Sequence, residues 1–121
     1  NAGSLYENMV GIALRKRQLE GRLEFFRWQS AQQEEVDFVV KKGTRIKQLV
    51  QVCADVTDPK TKTREVRALL KASADLRCND LLILTETAEG EESVSWFGAQ
   101  GKVRFMPLWK WALADDPSSN D

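Results

Sequence analysis

The chain has 121 residues, 42% of them hydrophobic and 30% charged, and its 18 basic and 18 acidic side chains cancel to a formal net charge of zero. That length suits one domain with a real core, and the charge balance excludes an overall electrostatic grip on nucleic acid while leaving room for a local basic patch. Histidine is absent and there are two cysteines, which excludes an internal Ser-His or Cys-His catalytic pair, a disulfide framework and a zinc site.

The chain does not begin with Met. Asn1-Ala2 reads as the remnant of a cleaved tag, so the sequence is expected to be a domain cut from a longer protein. Ser4 to about Leu19 is predicted to be a helix, with Leu5, Met9, Ile12 and Ala13 at helical spacing and Arg15, Lys16 and Arg17 near its C-terminal end. Ser4 and Glu7 have the spacing of a capping box. Gly21 breaks the pattern. Arg22–Trp28 is then predicted to be a strand, followed by a polar turn.

Glu35–Val40 is the second predicted strand. Strict alternation puts Val36, Phe38 and Val40 on one face and Glu35, Asp37 and Val39 on the other. A turn around Gly43 leads to a third strand from Arg45 or Ile46 to Cys53. Together these make an antiparallel meander.

Asp58-Pro59 is a helix entry, an N-cap acid followed by Pro at the first helical position. Val66, Leu69, Leu70 and Ser73 share the face that packs. Leu81–Thr85 (LLILT) is an apolar run expected at the centre of a sheet. The third strand, this helix and LLILT therefore form a right-handed βαβ unit with parallel strands. Ser93–Phe97 and Lys102–Met106 are expected to pair as a hairpin around Gly98 and Gly101. Pro107 leads into a short helix carrying Trp109 and Trp111. The tail at 115–121 is polar and expected to be disordered. The whole is an α/β domain with a mixed sheet, spanning 3–114.

The chemistry centres on Asp37 and Gln51. An odd loop between their strands, or a bulge, points both to one face; an even loop separates them. On one face, Asp37, Gln51 and a nearby main-chain carbonyl form an oxygen set suited to Mg²⁺, to which Glu7 adds a carboxylate if the first helix packs there. Such a site would activate water for phosphodiester hydrolysis. The bland alternatives are that Glu7 completes the capping box, Asp37 faces solvent, Gln51 satisfies a main-chain group and Cys53 is apolar filler. The basic groups around Arg15–Arg17, Lys41–Lys47 and Lys60–Arg64 are either a phosphate-binding surface or solvated faces.

Gly3-x-Leu5-x-Glu7-Asn8-x-Val10, then Arg27-Trp28, then Glu35-Val36-Asp37-Phe38-Val39-Val40 resembles the C-terminal domain of a group of prokaryotic AAA-type ATPases. That domain is one of unknown function with a restriction-endonuclease-like PD-(D/E)XK fold. The resemblance extends through Gln51-Val52-Cys53, Thr63-Arg64-Glu65, LLILT and FMPLWKWAL. It implies that Glu7 is the first-helix acid, that Asp37 is the metal-binding Asp, and that Gln51-Val52-Cys53 occupies the E-x-K element. An amide thus stands where the second metal carboxylate belongs, and a thiol where the lysine belongs; Lys60, Lys62 or Arg64 would have to replace that lysine. No P-loop is present, so any ATP site belongs to an N-terminal ATPase domain outside this sequence.

Three readings follow. The first is a cytoplasmic, nuclease-like module with degenerate catalysis, acting in nucleic-acid or protein binding beside its ATPase domain and in oligomer contacts. The second is an active Mg²⁺-dependent DNA or RNA nuclease using Glu7, Asp37 and Gln51. The third is a structural domain that only docks the ATPase core. No membrane association is expected, since no apolar run approaches the ~18 residues of a membrane span.

Overall fold

In the computed structural model, residues 2–114 are described; the expected tail at 115–121 lies outside them. Six strands form one mixed sheet in the order β1-β2-β3-β4-β6-β5. The chain runs α1 (Ala2–Leu19), β1 (Glu24–Gln29), β2 (Glu35–Lys42), β3 (Arg45–Val52), α2 (Pro59–Leu76), β4 (Leu81–Thr85), β5 (Gly90–Trp96), β6 (Ala99–Pro107) and α3 (Leu108–Leu113). The predicted α/β arrangement is therefore the observed one. β1, β2 and β3 form the antiparallel meander, β4 runs parallel to β3 and β6, and β5 closes the sheet as a hairpin with β6.

Helices cover both faces. α2 crosses from β3 to β4 and buries Ala68, Leu69, Leu70 and Ala72 against Val36, Val39, Leu49, Leu81, Ile83 and Val103. On the opposite face, Val10 and Leu14 of α1 and Leu108 and Trp111 of α3 pack on Phe38, Val40, Val50, Val52, Leu82 and Leu84. β4 is buried at all five positions because both layers cover it, as its unbroken apolar sequence requires.

α2 starts where the sequence says it should. The Asp58 carboxylate accepts from Lys60 N and from Thr61 Oγ1 at 3.1 and 2.9 Å, and Pro59 opens the helix. The helix ends at Arg77, which adopts the left-handed conformation and returns its N–H to Ser73 O.

Two expectations need correction. The capping box does not form: α1 begins at Ala2, so Ser4 lies inside the helix, and Glu7 accepts instead from Arg27 Nη2 at 3.0 Å. The hairpin turn is at Phe97-Gly98, both at positive φ, as a two-residue turn of the strand-compatible hand requires. Gly101 is not in the turn but inside β6. A Cβ there would meet Leu70 and Leu81 side-chain atoms at 3.1 Å, so glycine at this position lets α2 sit close to the sheet.

No helix among the described residues is long and apolar enough to cross a membrane.

Candidate functional site

The β2–β3 turn is even: Lys42 pairs with Arg45, leaving Gly43 and Thr44 as the loop. Continued without interruption, that register would set Asp37 level with Val50. A bulge in β3 intervenes, since Val40 pairs with Gln48 while Lys41 pairs with Ile46. The slip moves Phe38 opposite Val50 and brings Asp37 level with Gln51, so both reach the face covered by α2.

A second bulge lies in β2. Phe26 pairs with Val39 but Trp28 with Val36, three steps on β2 against two on β1. Strict alternation therefore fails: Val36 joins Val39 in the layer under α2, while Phe38 and Val40 face the other way. The bulge disrupts the ladder locally, and two side chains take over. Gln51 Oε1 accepts from Asp37 N at 2.8 Å, and Gln51 Nε2 donates to Glu35 O at 2.8 Å and Glu65 O at 3.3 Å. In return, Asp37 Oδ2 accepts from Val52 N at 2.8 Å.

Gln51 is 0% exposed, and its amide is committed to the main chain of β2 and α2. The residue thus ties three elements together. Cys53 is buried in the same layer, with its Sγ donating to Asp55 O at 3.2 Å. Burial, and then the neighbouring Glu65, push the thiol upward from its ordinary value, so it is neutral at physiological pH. Cys78 is also buried, and both cysteines are free thiols.

Beside this bracket lies a cleft of about 450 Å³ between β2 and α2, lined in part by Glu34, Glu35, Asp37, Arg64 and Glu65. Its acids outnumber its bases. The Asp37 carboxyl is raised to about 6, chiefly by burial and further by Glu7 and Glu35, against the pull of Val52 N–H and Arg27. Glu65 is raised to about 7, again by burial first and then by Asp37, with Arg64 opposing. Arg27 bridges the outer acids, lying 3.0 Å from Glu7 and 3.9 Å from Glu35. Lys71 pairs with Glu34 at 2.9 Å.

Glu65 is the residue that the spacing argument missed. Its signal was weak: one acid in a helix turn next to basic residues, whose proximity to Asp37 depends on the crossover docking α2 over the bulge. Of the three cations considered as replacements for a missing lysine, Arg64 lines this cleft. Lys62 faces β5, where it pairs with Glu92 at 2.7 Å.

The implied magnesium site can be tested against this donor set. Glu7 is engaged by Arg27, the Asp37 Oδ2 by Val52 N–H, and the Gln51 oxygen by Asp37 N–H. A neutral amide already accepting a main-chain proton is a poor ligand for a hard cation, and among the described residues no three Cys, Asp or Glu side chains form a group able to hold a metal ion. These residues do not fit the ion.

Residues 2–110 match the family described as "Domain of unknown function (DUF4143)". The chain belongs to that family. It is also 32% identical over 115 residues to the "Uncharacterized protein MJ1544" of Methanocaldococcus jannaschii. The alignment takes in 93% of this chain but 25% of that protein, so the chain spans about a quarter of the length of the relative it matches. Within the DUF4143 match lie all the residues of the bracket and the acidic cleft.

Proposed function

We propose that this domain is a nuclease-like module that does not cleave, retained as the C-terminal domain of a cytoplasmic AAA-type ATPase for binding a partner. The observation that carries the reading is Gln51. At the position where the resemblance calls for a metal carboxylate, a fully buried amide instead fastens the bulge of β2 to β3 and α2. The packed thiol of Cys53 supplies no cation where negative charge would develop in phosphoryl transfer.

The charge of the cleft chooses between the two kinds of partner. Lys71 and Arg27 pair the outer Glu34 and Glu35, but Asp37 and Glu65 against Arg64 still leave the cleft short of positive charge once both acids ionise, which disfavours a phosphate backbone when no metal screens it. A basic protein segment suits this face better than nucleic acid does. The length of the archaeal relative is consistent with a further domain beside this one.

Calorimetric titration with Mg²⁺ and Mn²⁺, run beside DNA and RNA cleavage assays with Asp37→Ala as control, tests the proposal. Neither saturable metal binding nor cleavage is expected. Cleavage that disappears in Asp37→Ala would overturn it in favour of an active nuclease.

A further inference from the structure

α2 has a second flank, facing away from the acidic cleft and toward the β5–β6 hairpin. A shallow groove of about 400 Å³ runs along it, lined by Lys62, Thr63, Val66, Arg67, Ser95 and Trp96 among others. The Arg67 guanidinium lies over the Trp96 ring, its central carbon 4.6 Å from the ring centroid. Trp96 in turn meets Phe97 edge-on at 4.8 Å, and Phe97 is 89% exposed at the hairpin tip.

Arg67 differs from its neighbours on the helix. Arg64 lies 3.8 Å from Glu65 and Lys62 pairs with Glu92, whereas among the described residues no carboxylate pairs with Arg67. Its Nε is buried without a hydrogen-bond acceptor. A buried donor left unmatched is costly, and a cation clamped on an aromatic face has already lost the freedom that ordering it would otherwise require. Such a side chain is prepared for an anion.

We propose that this groove binds a phosphomonoester carrying a flat or apolar group, such as a nucleotide. Arg67 supplies the planar fork that matches two phosphate oxygens. Thr63 and Ser95 line the same groove with hydroxyl donors, and Lys62 adds a second cation. A carboxylate would be satisfied by the arginine fork alone; the additional donors suit a third oxygen. Val66 and Trp96 give the attached group an apolar wall. The site goes beyond the binding role assigned to the acidic cleft and does not depend on it, because the two lie on different flanks of α2.

Titration of the ¹⁵N-labelled chain with thymidine 5′-monophosphate, inorganic phosphate and thymidine, followed by NMR, tests the site. Saturable shifts of the Arg67 side-chain and Trp96 indole signals are expected with the monophosphate, weaker ones with phosphate and none with thymidine. Arg67→Gln should weaken monophosphate binding about tenfold or more. Glu92→Gln, a change in an exposed pair that leaves the fold alone, should tighten it about threefold by releasing Lys62. A single-stranded thymidine oligonucleotide, with and without a 5′-phosphate, distinguishes a strand end from a free nucleotide as the source of the phosphate. No saturable shift with any phosphate compound, equal binding of thymidine and its monophosphate, or unchanged affinity in both variants would overturn the proposal.

Discussion

Gln51 and Asp37 exchange roles across the bulge: each uses its side chain to satisfy a main-chain group beside the other. Gln51→Ala would leave Asp37 N–H, Glu35 C=O and Glu65 C=O without the partner that a fully buried side chain supplies. Unmatched buried groups and the cavity left behind together cost about 3 kcal/mol, which would be measured as a lower urea midpoint with an unchanged slope. Gln51→Glu tests the same site through charge. It returns the carboxylate that the family resemblance calls for, but places an anion among Asp37, Glu65 and the Glu35 carbonyl. The variant is expected to be destabilised more at pH 8 than at pH 5, because only the neutral acid can donate as the amide does. A variant as stable as the parent at pH 8 would show that the bracket tolerates charge. The sequence made Gln51 conspicuous as a polar break in LVQVC, and its importance was legible there. Asp37 was legible as its neighbour only on condition of an odd loop or a bulge, and the Glu35 and Glu65 carbonyls were not legible at all, since the register rests on a one-residue slip that no local pattern announces.

At the scale of elements, most of the sheet could be read directly. LLILT is buried on both sides, and Asp58-Pro59 opens α2, because each signal is local: continuous apolarity in one case, a cap and a fixed φ in the other. Period-two alternation failed in EVDFVV, where a bulge inserts an extra residue and resets the face of Val36 relative to Phe38. Gly101 was misassigned for a related reason. Glycine signals a turn by its conformational freedom, but at this position it supplies the absence of a side chain. Gly101→Ala would push a Cβ against Leu70 and Leu81, both about 1% exposed and with little room to yield. The expected loss is about 1–2 kcal/mol. Asp58→Ala, which removes the cap of the same helix, should cost about 1 kcal/mol. Thermal melts of the two variants and the double variant would check both values and their additivity.

For the whole molecule, the acidic cleft implies an unusual dependence of stability on pH. Asp37 is raised to about 6 and Glu65 to about 7 in the folded chain, against ordinary values near 3.8 and 4.5. As pH rises from about 4 to 7, the unfolded chain releases these protons first. Unfolding is then favoured progressively, so the pair's contribution is greatest in mild acid and is lost as pH passes through the folded values. The charge of Asp37 raises Glu65 and both retain some contact with water (the Glu65 side chain is 18% exposed), so the pair counts as one site worth about 2 kcal/mol rather than the sum of two. Carboxylates held below their ordinary range, such as Asp55 bonded to Thr57, act in the opposite direction, which is why a difference between variants is the cleaner measure. Glu65→Gln keeps the shape and removes the titration. It is expected to stabilise the protein by about 1–2 kcal/mol at pH 8 and by much less at pH 5, where the folded parent already holds the proton. Urea denaturation of parent and variant at the two pH values decides the matter: an equal gain at both, or a loss at pH 8, would mean that the Glu65 carboxylate is not held against its ordinary ionisation by the cleft.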